Sequence, residues 1–449
     1  MILSFSIENW MSFRDRAEFS MVASLERQHG ERLPSLMKYR TRLLPVAAVY
    51  GGNASGKTNL CKALNFVRSL VVHGTQPEGL IPVEPFRLDS NSAGRPSRFS
   101  LEILVEGSIY EFSLAVDEES VLEERLTKIL ASSERILYDR RGDNPNFHKS
   151  LNRDDRLKFA FQGTRSNQLF LTNSVSQNLD TFKTVYDWFR NSLKLIAPDS
   201  RFGPVKKLVD EKGDLSKTMN RLLPQFDTGI SHFCGEAIPI ENIPLFKNIK
   251  SEILEEIKEG SSISLAFSPT NERIIITREN GELKAEKIVT CHSARNGNEA
   301  RFDFMEESDG TQRLIDLLPA FVDVSKAGSN RVFVIDEIDR SLHTVLTRRL
   351  IESYLTTCSP ESRAQLIFTT HDVLLMDQEL LRRDEMWVSE RDSSGCTSLF
   401  SFSEFKEMRY DKDIRKSYLQ GRLGGIPRIL VGDALCLAGD GSSGHREAD

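Results

Sequence analysis

The spacing of apolar residues changes along the chain, and each change marks a new structural element. In the first 20 residues Leu3, Phe5 and Ile7 alternate with polar positions, which predicts an edge strand followed by a turn. Residues 43–50 form a short apolar run, and the apolar positions of residues 59–72 recur at helical spacing. The stretch between these two segments is rich in glycine. A strand, a glycine-rich loop and a helix therefore follow one another near the N-terminus.

The middle of the chain has a different pattern. Alternating apolar positions in residues 98–139 predict an antiparallel sheet. Beyond it we expect helices at 175–195 and 244–258, and a β-hairpin at Asn280-Gly281, because this residue pair suits a type I′ turn. The region has no sustained heptads, so a long coiled-coil arm is not expected. We interpret residues 141–300 as a mostly helical insertion.

Residues 301–390 return to helix and strand patterns in alternation. Residues 332–335 and 365–369 are short apolar strands of the kind found in parallel sheets. The chain as a whole is therefore predicted to be α/β, with an antiparallel β subdomain and the insertion added to a parallel core.

Composition narrows the class of protein without pointing to a function. The chain has 449 residues, 28% of them charged, and a net charge of −6, so it has no overall basic character that would indicate nucleic-acid binding. No apolar run approaches the roughly 20 residues that cross a bilayer, and the N-terminus lacks a basic leader. We expect a cytoplasmic protein without a membrane partner. The six cysteines have no CxxC spacing, so neither a zinc site nor a disulfide framework is expected, and reduced thiols are the simplest interpretation.

The glycine-rich loop carries the first candidate chemistry. It matches the phosphate-loop pattern without a mismatch, as Gly51-Gly52-Asn53-Ala54-Ser55-Gly56-Lys57-Thr58. Backbone N–H groups of such a loop converge on a phosphate, and the following helix adds its positive end. Lys57 would reach the β- and γ-phosphates and Thr58 would hold Mg²⁺. The predicted binding positions are Gly51, Asn53, Ser55, Gly56, Lys57, Thr58 and Asn59.

Two further segments supply candidate catalytic groups. Four apolar residues from Val332 lead to Asp336 and Glu337. A buried strand would bring Asp336 to the magnesium ion, and Glu337 would orient and deprotonate water near the γ-phosphate. His371 follows the next apolar strand. A lone histidine is more often structural, but its place beside the other motifs favours contact with the γ-phosphate.

A third segment precedes an amphipathic helix. Residues 306–314 read Glu306-Glu307-Ser308-Asp309-Gly310-Thr311-Gln312-Arg313-Leu314. A serine and a glycine at a helix start can bind an anion. Taken alone, the segment would be only a helix cap.

Together and in this order, the motifs resemble those of ABC ATPases. Residues 51–58 correspond to Walker A, Ser308-Asp309-Gly310-Thr311-Gln312 to the signature, residues 332–337 to Walker B and His371 to the switch histidine. Segments 307–314, 336–343 and 418–427 are more narrowly similar to OLD-like (overcoming-lysogenization-defect) ATPases of bacteria and phage-defence loci, which are related to RecF and SMC heads. The resemblance covers most of residues 1–430.

The resemblance implies a composite site in a homodimer or higher homo-oligomer. Ser308, Gly310 and Gln312 of one subunit would contact the nucleotide bound by the other. Three departures affect this expectation. The signature reads SDGTQ in place of the commoner SGGQ form, and His343 stands where transporters usually have aspartate. No glutamine lies near Phe86-Arg87-Leu88, where the Q-loop is expected.

The resemblance also divides the chain into four parts. Residues 1–140 would form the N-terminal half of the ATPase domain with its antiparallel subdomain, and residues 141–300 the insertion. Residues 301–431 would form the C-terminal half, and residues 432–449 a flexible Gly/Ser-rich tail.

The implied function is that of an ATPase that uses ATP and Mg²⁺ as a sensor or clamp, controlling a separately encoded nuclease or toxin in antiviral defence. About eighty residues follow His371, which is too few for the Toprim nuclease of many OLD-like proteins. Asp411-Lys412-Asp413 is interpreted as a solvated charge cluster. The alternative is a DNA-binding repair ATPase of the RecF or SMC kind, with Lys206-Lys207 as a basic cluster. A transporter engine and a non-hydrolysing switch are weaker alternatives, the latter because Glu337 is present.

Overall fold

The computed structural model describes residues 1–141, 144–200, 214–245, 247–267, 272–294, 297–405 and 413–426. Four segments named in the sequence analysis lie outside the described residues: 206–207, 411–412, position 427 and the tail 432–449.

Strands make up much of the described chain. In its first part they are β1 (Ile2–Glu8), β2 (Ala17–Ser20), β3 (Ser35–Leu36), β4 (Thr41–Arg42), β5 (Val46–Tyr50), β6 (Ser97–Val105), β7 (Ser108–Val116), β8 (Val121–Ile129), β9 (Glu134–Arg141) and β10 (Asn144–Phe147). In the remainder they are β11 (Leu193–Ile196), β12 (Ile230–Ile238), β13 (Ser262–Ala266), β14 (Arg273–Glu279), β15 (Glu282–Ser293), β16 (Glu299–Asp303), β17 (Val332–Ile335), β18 (Gln365–Thr369), β19 (Met386–Arg391) and β20 (Thr397–Ser401).

The α-helices are α1 (Lys57–His73), α2 (Asp155–Gln162), α3 (Phe170–Ser176), α4 (Lys183–Asp187), α5 (Asp214–Leu222), α6 (Lys247–Glu256), α7 (Asp309–Val324), α8 (Thr344–Leu355) and α9 (Ile414–Leu419). Single turns of 3₁₀ helix occur at Gly30–Arg32, Met37–Tyr39, Asp180–Phe182, Leu223–Phe226, Ile240–Asn242, Phe304–Glu306, Val373–Leu375, Arg383–Glu385 and Phe402–Glu404. A π-helical turn spans Trp188–Ser192.

A six-stranded sheet forms the centre of the molecule, in the order β11-β17-β18-β5-β19-β20. Its strands are parallel except for β20, which is antiparallel to β19. Every residue of β5, β17 and β18 is buried, because helices and a second sheet cover the two faces. The strand predicted within 43–50 and the parallel strands predicted at 332–335 and 365–369 are confirmed. Their carboxyl ends meet at one edge, where ligands of such sheets bind.

The second sheet is antiparallel and has the order β10-β9-β8-β7-β6-β1-β2. It shares a hydrophobic core with α1 and one face of the central sheet. The antiparallel sheet predicted for residues 98–139 is confirmed. The expectation that the first strand is an edge strand is wrong, since β1 pairs with both β2 and β6. Phe5 and Ile7 lie in the main core and Leu3 packs in a smaller cluster, so the apolar positions of β1 are all buried.

The helix predicted for 175–195 is confirmed over residues 180–192, which form consecutive 3₁₀, α and π turns, but it is wrong for residues 193–195. The chain there forms α4, a π turn and then β11, which adds to the parallel edge of the central sheet beside β17. At residues 193–195, pairing with β17 outweighs the predicted helix, since tertiary context overrides propensity. The helix predicted for 244–258 is confirmed as α6. The hairpin is confirmed as β14–β15, with Asn280 at φ 54° and Gly281 at φ 80°, the two positive values that a type I′ turn requires.

The insertion was expected to be mostly helical, and its described part combines helices α2 to α6 with a sheet of its own, most of which was not expected. Strands β12, β15, β14 and β13 form an antiparallel sheet, and β16 pairs with the far end of β15. Cys234 on β12 and Cys291 on β15 form a disulfide, so the expectation of unpaired thiols is wrong for these two, whereas Cys61, Cys358 and Cys396 are free. These cysteines are 57 residues apart, and spacing rules for short motifs do not detect a pair that strand pairing brings together.

A buried ion pair fixes the insertion to the rest of the molecule. Arg273 on β14 donates to the carboxylate of Asp316 on α7. The guanidinium also lies 4.2 Å from the ring centre of Phe304. Both charged side chains are almost fully buried, so either one alone would leave an uncompensated charge in the core. The insertion sheet and helix α7 are thereby held together.

Candidate nucleotide-binding site

The glycine-rich loop leaves the carboxyl end of β5 and enters α1. Gly51 has φ 151° and Gly56 has φ 108°, values that favour glycine. A Cβ at Gly51 would overlap the carbonyl oxygen of Ser389, and a Cβ at Gly56 would overlap the hydroxyl of Thr397. Neighbouring strands β19 and β20 therefore press against the loop, and both glycines are required by conformation and by space.

Lys57, the first residue of α1, folds back over the loop. Its ammonium donates to the carbonyl oxygens of Gly51 and Gly52, each at 2.9 Å. Burial lowers the pKa of Lys57 to about 8, although the nearby carboxylates of Asp336 and Glu337 oppose the shift. A phosphate in the loop would bring negative charge to this ammonium and would favour its charged form.

Asp336 and Glu337 follow β17 directly, and Thr369 at the end of β18 connects them. The hydroxyl of Thr369 donates to Asp336 Oδ1 at 2.5 Å, and the backbone N–H of Glu337 donates to the same hydroxyl at 2.8 Å. Asp336 is buried, whereas the side chain of Glu337 reaches the cleft. No local motif marks Thr369, because its role depends on β18 lying beside β17.

His371 lies just beyond the end of β18 and also faces the cleft. Its backbone N–H donates to Asp339 Oδ2 at 3.3 Å. Although the ring is open to the cleft, surrounding protein lowers its pKa by desolvation, and Lys57 lowers it further. Asp339, Glu337 and Asp336 oppose that shift. The ring is thus held towards its neutral form, which can donate one hydrogen bond and accept another.

These groups surround a cleft of about 640 Å³. The predicted residues Asn53, Ser55, Gly56, Lys57, Thr58, Asn59, Glu337 and His371 line it. Gly51 is buried at the base of the loop, and Asp336 is buried behind Glu337. The structure therefore brings the phosphate loop, the acids and the histidine together.

Sequence reasoning missed the other walls of the cleft, which are formed by Met11, Ser12, Glu84, Pro85, Arg391 and Gly395. Ser12 accepts hydrogen bonds from Asn59 Nδ2 and Thr397 Oγ1, both at 2.8 Å, so it ties the turn after β1 to the start of α1. No motif marks this turn in the sequence.

The segment expected to hold the Q-loop also lines the cleft. Phe86, Arg87 and Leu88 lie there with Glu84, and Glu84 pairs with Arg87 at 3.7 Å. This part of the wall offers a carboxylate and a guanidinium in place of a glutamine.

The predicted signature residues lie elsewhere. Ser308 caps α7, accepting from the N–H of Thr311 at 3.1 Å, and Gln312 donates to the carbonyl of Glu307 at 2.9 Å. Ser308 is exposed, and neither it nor Gly310 nor Gln312 lines the cleft. A Cβ at Gly310 would lie 2.7 Å from the carbonyl oxygen of Ser341, so the helix start packs on the loop that follows Glu337.

Arg313, one turn into α7, connects this helix to the acids. It donates to the carbonyl oxygen of Asp336 at 3.3 Å and to that of Ala197, after β11, at 3.4 Å. Burial lowers its pKa. The signature helix is therefore bonded to the ends of β17 and β11 in the same chain.

Two remaining sequence features have structural roles. His343 caps α8 by accepting from the N–H of Val345 at 3.2 Å, which explains how histidine replaces the aspartate expected there. The carbonyl of Gly425 accepts from the N–H of Gly52 at 3.0 Å and from the hydroxyl of Tyr418 at 3.0 Å. The segment after α9 thus packs against the phosphate loop.

Three features define the class of protein: a phosphate loop after β5, acids after β17, and Thr369 at the end of β18, which lies between those two strands. This is a P-loop ATPase of mixed α/β fold. More narrowly, the chain belongs to the family described as "AAA domain, putative AbiEii toxin, Type IV TA system", which matches residues 46–377. That family does not specify the OLD-like subtype, which stays a prediction.

Among solved structures, an SmcHead bound to the C-winged helix domain of ScpA is 12% identical over 89% of this chain and 97% of that chain, with a TM-score of 0.38. An SMC head domain from Thermotoga maritima is 13% identical over 89% of this chain and 98% of that chain, with a TM-score of 0.36. No curated protein sequence matches the chain. Among the described residues, no helix is long and apolar enough to span a membrane.

Proposed function

We propose that this chain binds and hydrolyses ATP with Mg²⁺ at an interface between two copies, and that closing and opening of the pair control a separately encoded nuclease or toxin in antiviral defence. The OLD-like subtype is part of this proposal.

Several polar atoms support nucleotide and metal binding. Among the described residues, Ser55 Oγ and Asp339 Oδ1 are buried next to the cleft without a hydrogen-bond partner, although most buried polar atoms have one. Thr58 and Asp336 would hold Mg²⁺, since hydroxyl and carboxylate oxygens are its preferred protein ligands. The ion would neutralise charge that develops on the phosphates.

The remaining charged groups have separate roles in this proposal. Lys57 exchanges its two carbonyl partners for the β- and γ-phosphates. Glu337 accepts a proton from water as the water attacks the γ-phosphate, and Thr369 keeps its backbone in place. His371, held towards the neutral form, donates a hydrogen bond to the γ-phosphate.

One observation carries the two-copy part of the proposal. The start of α7 is exposed and lies outside the cleft of its own chain, yet it presents a hydroxyl and backbone N–H groups suited to an anion. A second head facing the first would bring Ser308 to the open side of the cleft. Arg313 would then transmit closure to Asp336, because it bonds the signature helix to that residue.

The family description names a toxin–antitoxin system and calls the family itself a putative toxin, so it supports a partner protein without saying whether that partner is an effector or an antitoxin. In the described residues, the one group of His, Cys, Asp or Glu side chains that could hold a metal contains His232, Cys234, Cys291 and Glu299. It is not the carboxylate cluster that a metal-dependent nuclease needs. In this proposal the effector activity lies in a separate chain.

The test is co-purification with the product of the adjacent gene, using wild-type protein and Glu337→Gln, each with ATP and with ADP. We expect the partner to bind with different affinity in the two nucleotide states, since a ligand controls a partner only through such a difference. Partner binding that is equal in every state would contradict the proposal. ATPase stimulation by DNA that weakens with salt, together with no bound partner, would favour the DNA-repair alternative.

A further inference from the structure

The insertion sheet brings four potential metal ligands to one face. His232 on β12 lies directly opposite Cys291 on β15, and Cys234 is two residues further along β12. On the other side of β15, Ser293 lies opposite Glu299 on β16. Residues opposite one another and residues two apart share a face of a sheet. All four ligand-bearing side chains therefore project from the same face.

Their ligand atoms converge. One atom from each of His232, Cys234, Cys291 and Glu299 lies within 4.8 Å of the other three. The imidazole Nε2 of His232 is 3.0 Å from the carboxylate of Glu299. Two nitrogen or oxygen ligands of a tetrahedral zinc ion lie about 3.3 Å apart, since each is about 2.0–2.1 Å from the metal. Small side-chain shifts would therefore place a zinc ion among them.

The surroundings of His232 suit coordination through Nε2. Its Nδ1 lies 3.1 Å from the hydroxyl of Ser231, and that hydroxyl donates to the carbonyl oxygen of Cys291 at 2.7 Å. A metal-bound histidine usually donates its other N–H to such a neighbour, which fixes the ring and leaves the second nitrogen free to bind.

We propose that these four residues form a zinc site when the Cys234–Cys291 disulfide is reduced. A thiol reductant supplies two electrons and two protons, is itself oxidised to a disulfide, and leaves two thiols. Zinc binding then releases the two thiol protons to solvent, because the thiolates are the ligands. The sulfur atoms separate to about 3.8 Å in this state, as two thiolates at about 2.3 Å from one tetrahedral ion require. The disulfide and the zinc site are alternative states of one sheet.

The site would stabilise the strand that leads to the signature segment. Zinc would join β12, β15 and β16 through side chains, beyond their backbone hydrogen bonds. Next to Cys291, His292 bonds the carboxylate of Glu307 at 2.7 Å, and Thr290 donates to the same carboxylate at 2.5 Å. Glu307 immediately precedes Ser308. The link to nucleotide chemistry rests on the proposed function, whereas metal binding itself does not.

The primary test uses the full chain, reduced and freed of metal, and titrated with Zn²⁺ and separately with Co²⁺. We expect about one zinc ion per chain, and with cobalt the intense absorption of a tetrahedral thiolate complex. Cys234→Ser and Cys291→Ser should abolish this binding. Glu299→Gln, a change at an exposed position, should weaken it at least about tenfold without unfolding the protein. Cys358→Ser is the matched control and should bind zinc as wild type does.

A second measurement needs no variant. Zinc should protect Cys234 and Cys291 from alkylation in the reduced wild-type protein, with Cys358 as the internal reference, and chelation should remove the protection. A reduced protein that binds no zinc, or one whose cobalt spectrum survives Cys291→Ser, would overturn the proposal. If the wild-type protein binds zinc but hydrolyses no ATP, the proposed function fails and the metal site is still supported.

Discussion

The cleft and the start of α7 are both phosphate-binding candidates, but they differ in how much of a site each contains. At the cleft, the phosphate loop, the acids after β17 and His371 approach from three parallel strands, and charged groups face one another. At the start of α7, the exposed Ser308 accepts a hydrogen bond from Thr311 in its own turn. The groups of the cleft come from one chain, whereas the start of α7 would need groups from a second chain to complete a phosphate site.

Substitutions in the two regions should therefore affect different nucleotide sites. Changes in the cleft should act within the subunit that carries them, because the partners of each group lie in the same chain. Changes at Ser308 should act on the nucleotide of a neighbouring subunit. Effects on turnover and on assembly can therefore distinguish the two regions.

The largest effect is expected from Lys57→Ala. It removes the cation that contacts the β- and γ-phosphates, and turnover should fall at least about a thousandfold. Steady-state phosphate release measures it. Lys62→Ala, at an exposed position on the same helix, is the matched control and should keep wild-type activity. Near-normal turnover in purified Lys57→Ala would show that the phosphate loop is not the site of ATP hydrolysis.

Glu337→Gln should slow hydrolysis at least about a hundredfold while ATP binding persists, because the amide cannot accept the proton of the attacking water. ATP-bound protein should then accumulate as a dimer or larger assembly, seen by light scattering with ATP and Mg²⁺. Glu361→Gln, an exposed change, should behave as wild type. A Glu337→Gln protein that stays monomeric at all concentrations would argue against the two-copy site.

Thr369→Val removes the hydroxyl that bridges Asp336 and Glu337. Turnover should fall about 10–100-fold, as for other groups that orient metal ligands, with nucleotide affinity changed much less. Thr347→Val is the control, because among the described residues the buried Thr347 hydroxyl has no hydrogen-bond partner. Equal activity of the two variants would show that the bridge does not orient the acids.

A smaller effect is expected from pH. Burial lowers the pKa of Lys57 to about 8, so the free protein loses the ammonium as pH rises through that value. ATP binding needs the charged form, and the apparent dissociation constant should rise about tenfold per pH unit above pH 8. Lys57→Arg keeps its charge and should show a flat profile. A wild-type affinity that is constant from about pH 7 to about pH 9 would contradict the assignment.

The sequence predicted that the phosphate loop, the acids and His371 come together, because these residues lie in or next to short continuous motifs. Residues 51–58 and 332–337 each combine an apolar strand with functional residues, so local patterns identified both. The parallel core followed from the same signals. His371 was found because it lies just beyond a recognisable strand.

Features that depend on pairing of distant segments could not be predicted. The predicted helix 175–195 included residues of β11, because the pairing of β11 with β17 is long-range. Strand β1 was predicted to be an edge strand, because its pairing with β6 is long-range too. The contact of Arg313 with Asp336 and the Cys234–Cys291 pair likewise join residues that no local pattern connects. Long-range packing, which outweighs local spacing, decides such features.

The most direct test of the central claim mixes two inactive variants, Lys57→Ala and Ser308→Arg. Each homodimer spoils both composite sites, whereas a mixed dimer keeps one intact. Random mixing at equal amounts should restore about a quarter of the wild-type rate, because half of the dimers are mixed and each retains one of two sites. Recovery at that level, absent from either variant alone, is what the account predicts. No recovery, with mixed dimers shown to form, would contradict it.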